Sequence, residues 1–136
     1  MLRLGKAVVA GTAYAIALFL LGSALGVVRV LALEPQFGPV AATAFELPLM
    51  LGIAWLISAF LVRQAEIPPR VPDRLLMGGL ALLLLIGAEF ALAALLWRSP
   101  DYREPAAALG LAGQVAVAFL PLLQARRFAP RARALP

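Results

Sequence analysis

Four strongly polar side chains fall inside otherwise apolar stretches of this chain, one to each stretch: Arg29, Glu46, Glu89 and Gln114. A charge surrounded by Leu, Ala and Val is tolerated when it is paired, hydrogen-bonded or put to use, so chemistry is to be sought at these positions. One guanidinium cannot neutralise two carboxylates. If Glu46 and Glu89 both face Arg29, they titrate as a coupled pair sharing about one proton near neutral pH, and such a layer could carry or sense a proton. The structural alternative is a polar lock, in which the carboxylates and Gln114 fix helix register through hydrogen bonds. Arg29 would then reach outward to lipid phosphate along its long stem.

The same inventory removes other chemistry. The chain has no cysteine and no histidine, which excludes disulfide exchange, thiolate nucleophiles, imidazole haem ligation and the usual zinc sites. No catalytic side chains, metal site or cofactor are expected, and the chain is not read as an enzyme. Nucleic-acid binding is not expected despite a pI of about 11.1, because the basic residues are divided among short connecting segments.

The elements that must position these residues are membrane spans. Of 136 residues 63% are apolar and 14% charged, with a mean hydropathy of +0.94. Soluble domains lie near half apolar and about a quarter charged. The apolar residues gather at 7–33, 40–62, 75–97 and 106–123. Each run approaches the roughly 20 residues that a helix needs to cross a bilayer. The fold expected is all-α, an integral membrane four-helix bundle running up-down-up-down, one transmembrane domain over 1–136 with a basic cytoplasmic tail at 124–136. Arg3 and Lys6 precede the first run as they would in a secretory signal, but the run exceeds the roughly 7 to 15 residues of a signal's apolar core, so it reads as a retained helix. The longest connection, 63–74, leaves no room for a soluble domain. Short connections predict that consecutive helices are antiparallel neighbours.

Basic residues set the orientation, since short loops rich in them stay in the cytoplasm. They cluster at Arg3 and Lys6, at Arg63, Arg70 and Arg74, and at Arg126, Arg127, Arg131 and Arg133, whereas the other side holds Arg98 and Arg103. Both termini are expected to be cytoplasmic. Eleven arginines to one lysine, with abundant alanine, resembles the usage of a high-GC bacterial genome, and a bacterial inner-membrane protein is expected. Trp97 and Tyr102 are expected at the headgroup level. The basic tail is expected to anchor topology or to meet anionic lipid, at about 1 kcal/mol per basic residue.

A rise of about 1.5 Å per residue puts Arg29 roughly 6 Å inside the outer end of its helix, Glu46 about 9 Å, and Glu89 and Gln114 about 12 Å. One layer is therefore expected. Gly22, Gly26 and Arg29 share a stripe with Leu18, and Gly22 to Gly26 is a G-x-x-x-G segment suited to close helix approach. Ala42, Glu46, Leu49 and Ile53 share a second face, and Gly79, Leu82, Ile86, Glu89 and Ala93 a third. Pro48 and Pro121 cannot donate to the carbonyls of Ala44 and Val117, so kinks are expected there, with the Thr43 hydroxyl helping to satisfy the opened backbone.

At Gly22-Ser23-Ala24-Leu25-Gly26-Val27-Val28-Arg29-Val30 and again at Glu46-Leu47-Pro48-Leu49-Met50, the chain resembles an uncharacterised family of small bacterial four-helix inner-membrane proteins. That resemblance implies a fold and a compartment and supplies no activity. The small multidrug resistance transporters are similar in length and helix count and also use a membrane-embedded Glu. Their essential acid belongs to the first helix, whereas here that helix carries Arg29 and the acids are Glu46 and Glu89.

Three roles follow. The first is an accessory, assembly or interaction subunit, or a self-associating bundle, whose partners are the lipid bilayer and other membrane subunits. The second is an oligomeric proton-coupled carrier of a small molecule that uses Glu46 and Glu89. The third is an intramembrane binder of a quinone, lipid or pigment, lined by Phe45, Trp55, Phe90 and Phe119.

Overall fold

The computed structural model describes residues 2–99 and 101–127, and those residues contain helices and turns. Helix α1 (Leu2–Val28) runs into a π-helical turn (Arg29–Leu33) and a short helix α2 (Glu34–Phe37). The long helices α3 (Pro39–Gln64), α4 (Val71–Leu95) and α5 (Pro105–Arg127) follow. Four helices are long and apolar enough to cross a membrane: Arg3–Phe37 taken as one rod, Pro39–Gln64, Val71–Leu95 and Pro105–Arg126.

The boundaries depart from the expected ones for local reasons. The first helix does not stop at Leu33: it runs on through the π turn into α2, with Pro35 in the first turn of α2. The break is confined to Gly38, whose φ of 81° few other residues adopt. Proline likewise opens α3, α4 and α5. Helix α3 ends with Glu66 in the left-handed region (φ 51°): the Glu66 N–H donates to Arg63 O and the Ile67 N–H to Val62 O, which satisfies the last carbonyls. Trp97 (φ 54°) ends α4 in the same way. The basic tail is helical to Arg127, and the rest of the expected tail, with Arg131 and Arg133, lies outside the described residues.

Packing order differs from chain order. Helix α1 packs against α3 and α4, and α5 packs against the same two, so α1 faces α5 across one diagonal and α3 faces α4 across the other. The expectation that consecutive helices are neighbours thus fails at α3 and α4. Neighbouring helices sit about 8–10 Å apart, so a diagonal is roughly 13 Å. The 65–70 connection, which includes Pro68 and Pro69, can reach roughly 20 Å when extended. Arg74, 3% exposed, fastens that connection to the start of α4: its Nε donates to Pro68 O at 3.1 Å and its Nη2 to Ile67 O at 3.1 Å. Arg74, counted from the sequence among the basic residues of the second loop, is a buried clamp in the first turn of α4.

Small residues set the seams. A Cβ added at Gly78 would run into the backbone carbonyl of Ala118, and one at Gly11 would lie 2.8 Å from Met77 O. The core between them holds Ala10, Tyr14, Leu18, Met77, Ala81 and Val117. Pro121 is fully buried in α5, and the Val117 carbonyl that it frees accepts the Tyr14 hydroxyl at 3.1 Å. The same hydroxyl lies 3.4 Å from Ala54 O, so Tyr14 ties α1 to both α3 and α5. At the same end of the bundle as Arg74, Ser58 donates to Gln124 Oε1 at 2.9 Å and Gln124 Nε2 donates to Trp55 O at 2.9 Å.

Candidate functional site

All four polar residues singled out by the sequence line one cavity of about 630 Å³, at the end of the bundle that carries Gly38 and the 96–104 connection. Within it they form two separate hydrogen-bonded sets. Leu18, Leu85 and Val117 belong both to the buried core and to the cavity lining, so the core closes the cavity there.

The first set is built around Arg29. Its Nη1 donates to Glu34 Oε1 at 3.0 Å and to Thr43 Oγ1 at 3.1 Å, and its Nε forms an ion pair with Glu46 Oε2 at 2.8 Å, without a directed hydrogen bond. The contact to Glu34 depends on the π turn. In an α-helix, residues five apart point about 140° away from each other. In a π turn the hydrogen bond itself spans five residues, and here Glu34 N–H donates to Arg29 O, so the two side chains stack over one another. Arg29 and Glu34 are each 27% exposed and Glu46 is 17% exposed, so the set is shielded and still open to a solute. Thr43 does not serve the backbone opened by Pro48; its hydroxyl donates to Pro39 O at 2.8 Å and accepts from Arg29.

The second set is built around Glu89. Gln114 Nε2 donates to Glu89 Oε1, and the Tyr102 hydroxyl donates to Glu89 Oε2 at 3.3 Å. Gln114 Oε1 is buried and has no hydrogen-bond partner. Burial first, and the nearby Glu89 carboxylate second, hold the Tyr102 phenol above its ordinary value of 10. Tyr102 also packs against Phe90, ring centres 6.3 Å apart.

Arg29 therefore faces Glu34 and Glu46, and Glu89 is held by neutral partners. The condition for Glu46 and Glu89 to share a proton around Arg29 is not met in this arrangement, although both carboxylates open on the same cavity. The expected faces are also rotated. Thr43, Glu46 and Met50 line the site from α3, and Leu85, Glu89 and Leu92 line it from α4, rather than Leu49 or Ile86. Of the glycines expected to pack helices, Gly22 lines the cavity with Met50 Cε 3.6 Å from where its Cβ would be, and Gly26 has open space. Pro48 is exposed. Gly113, whose added Cβ would meet the Leu47 side chain, marks a tighter approach than either glycine.

The pocket expected from Phe45, Trp55, Phe90 and Phe119 does not form: none of them lines the cavity, and Phe45, Phe90 and Phe119 are exposed on the outside of the bundle. Phe19 and Tyr102 are its aromatic walls. The sequence reading missed Glu34, Tyr102 and Glu104 as members of the site. Pro35 flanking Glu34 suggested a loop, and Tyr102 was assigned to the headgroup belt.

Fold and site together define a membrane-type four-helix bundle with an acid-rich cavity shared by all four long helices. Compared with known protein families, curated proteins and solved structures, the chain matches none.

Proposed function

We propose that this chain is a bacterial inner-membrane protein, up-down-up-down with both termini cytoplasmic, that binds a small molecule between its helices in the outer half of the bilayer. The cavity is the observation that carries this reading: about 630 Å³ lies within the roughly 300–1,000 Å³ of small-molecule sites, and apolar walls surround a few convergent polar groups. An accessory subunit, the role expected from the lack of catalytic side chains, needs the polar layer as a lock. A lock would join these side chains in one network, whereas here they fall into two separate sets on the lining of one cavity.

The bundle's free positions provide the test. Gly110 lines the cavity and has nothing within 4 Å of where a Cβ would stand, so Gly110→Leu fills the site without touching a helix seam. Protein in nanodiscs is incubated with cell extract, washed and weighed by native mass spectrometry. The expected result is a small molecule retained by the wild type and lost from Gly110→Leu at unchanged thermal stability. Equal retention by both proteins, or by neither, counts against the reading.

A further inference from the structure

The charges that line the cavity do not balance. Four carboxylates, Glu34, Glu46, Glu89 and Glu104, meet one guanidinium, Arg29. Arg29 is already engaged by Glu34 and Glu46, which leaves one negative charge beside it and two, from Glu89 and Glu104, elsewhere on the lining. Glu89 has two neutral partners, Gln114 and Tyr102, and the exposed Glu104 stands on the 96–104 connection. A charge withdrawn from water requires an opposite charge or a full set of hydrogen bonds, and this lining holds carboxylates in excess of cations.

We infer, on the reading that the cavity binds a small molecule, that its ligand is an organic cation: one positive nitrogen seated by Glu89, with an apolar body against Leu18, Phe19, Leu85 and Leu111. An anion would add to the existing excess. A neutral molecule would leave Glu89 without a counter-charge. A bare metal ion is disfavoured by the spacing, because among the described residues no three carboxylates converge on one point. The ammonium could belong to a free solute or to the headgroup of an amine-bearing lipid, and the chemistry that recognises it is the same.

The probes are benzyltrimethylammonium, N-benzylacetamide and phenylmethanesulfonate, which share a benzyl body and differ in charge. Binding is measured by titration calorimetry on the full chain in nanodiscs of diglucosyldiacylglycerol, a lipid with no cationic headgroup, with empty nanodiscs subtracted. The cation is expected to bind at least about tenfold more tightly than either companion, and Glu89→Gln to remove about tenfold of that affinity. Glu104→Gln, at an exposed position, is expected to weaken the cation by about threefold and leave N-benzylacetamide unchanged. Replacing the lipid by phosphatidylethanolamine separates the sources: competition with the cation identifies a lipid amine as occupant, and its absence identifies a free solute. Tighter binding of the neutral or anionic probe, equal binding of all three, or binding of none overturns the proposal. The cell-extract experiment still decides independently whether the cavity holds a ligand.

Discussion

Replacing Tyr14 by Phe deletes one oxygen from a side chain that is 0% exposed and leaves its ring packing in place. That oxygen donates to the carbonyl of Val117 at 3.1 Å, and the carbonyl is available because Pro121 has no N–H to offer it. The loss strands a buried acceptor, which costs about 1–3 kcal/mol in proteins generally, whereas interhelical hydrogen bonds inside membranes average about 0.6 with a maximum near 1.7 kcal/mol. With both limits in force, Tyr14→Phe is expected to destabilise the bundle by about 1–1.5 kcal/mol. The origin of the cost is tested by Pro121→Ala, which restores an N–H to the same carbonyl. In that background Tyr14→Phe is expected to cost under about 0.5 kcal/mol, a coupling near 1 kcal/mol. Reversible unfolding in bicelles, read by steric trapping, gives all four corners of the cycle. An equal cost for Tyr14→Phe in both backgrounds would refute the reasoning, because the stranded carbonyl would then not be its source.

Two further outcomes follow from named contacts. Gly78→Ala drives a Cβ into the Ala118 carbonyl and is expected to destabilise by about 2 kcal/mol or more, whereas Gly26→Ala, into open space, is expected to be neutral or to stabilise by up to about 1 kcal/mol; thermal unfolding in detergent ranks the two. The Tyr102 phenol is expected to titrate above 10 by ultraviolet difference absorbance and to move back toward 10 in Glu89→Gln, with burial maintaining part of the shift. Because the raised value favours the neutral phenol, its stabilising contribution is complete below pH 10 and is lost as pH rises through the higher folded value.

The spans were legible because hydropathy and length act residue by residue: four apolar runs became four long helices, and Arg29, Glu46, Glu89 and Gln114 did reach one cavity. Their pairing was not legible. Depth counting fixes how far a residue lies along a helix but not which helix stands beside it, and here α3 and α4 occupy opposite corners of the bundle. Glu34 was hidden because its five-residue offset from Arg29 closes only through a π turn, which uniform helical periodicity cannot display. The tight seams at Gly11, Gly78 and Gly113 resemble every other glycine in an apolar run until a neighbour's backbone or side chain is placed opposite them. Tyr14 could have been found: a buried donor and a proline-freed carbonyl are both visible in the sequence, and only their meeting required the fold.

An acidic cavity reachable by a solute exposes a thiol on its wall to charged reagents. The chain contains no cysteine, so a single Gly110→Cys places one thiol on the cavity wall and Leu83→Cys, at an exposed apolar position on α4, provides a lipid-facing control. The measurement is the labelling rate of each thiol by trimethylammonium-ethyl and by sulfonatoethyl methanethiosulfonate, each normalised to its rate with a free thiol. Gly110→Cys is expected to react with both reagents, about tenfold faster with the cation, and Leu83→Cys with neither. A silent Gly110→Cys, or one that favours the anionic reagent, would contradict an acidic cavity reachable by a solute.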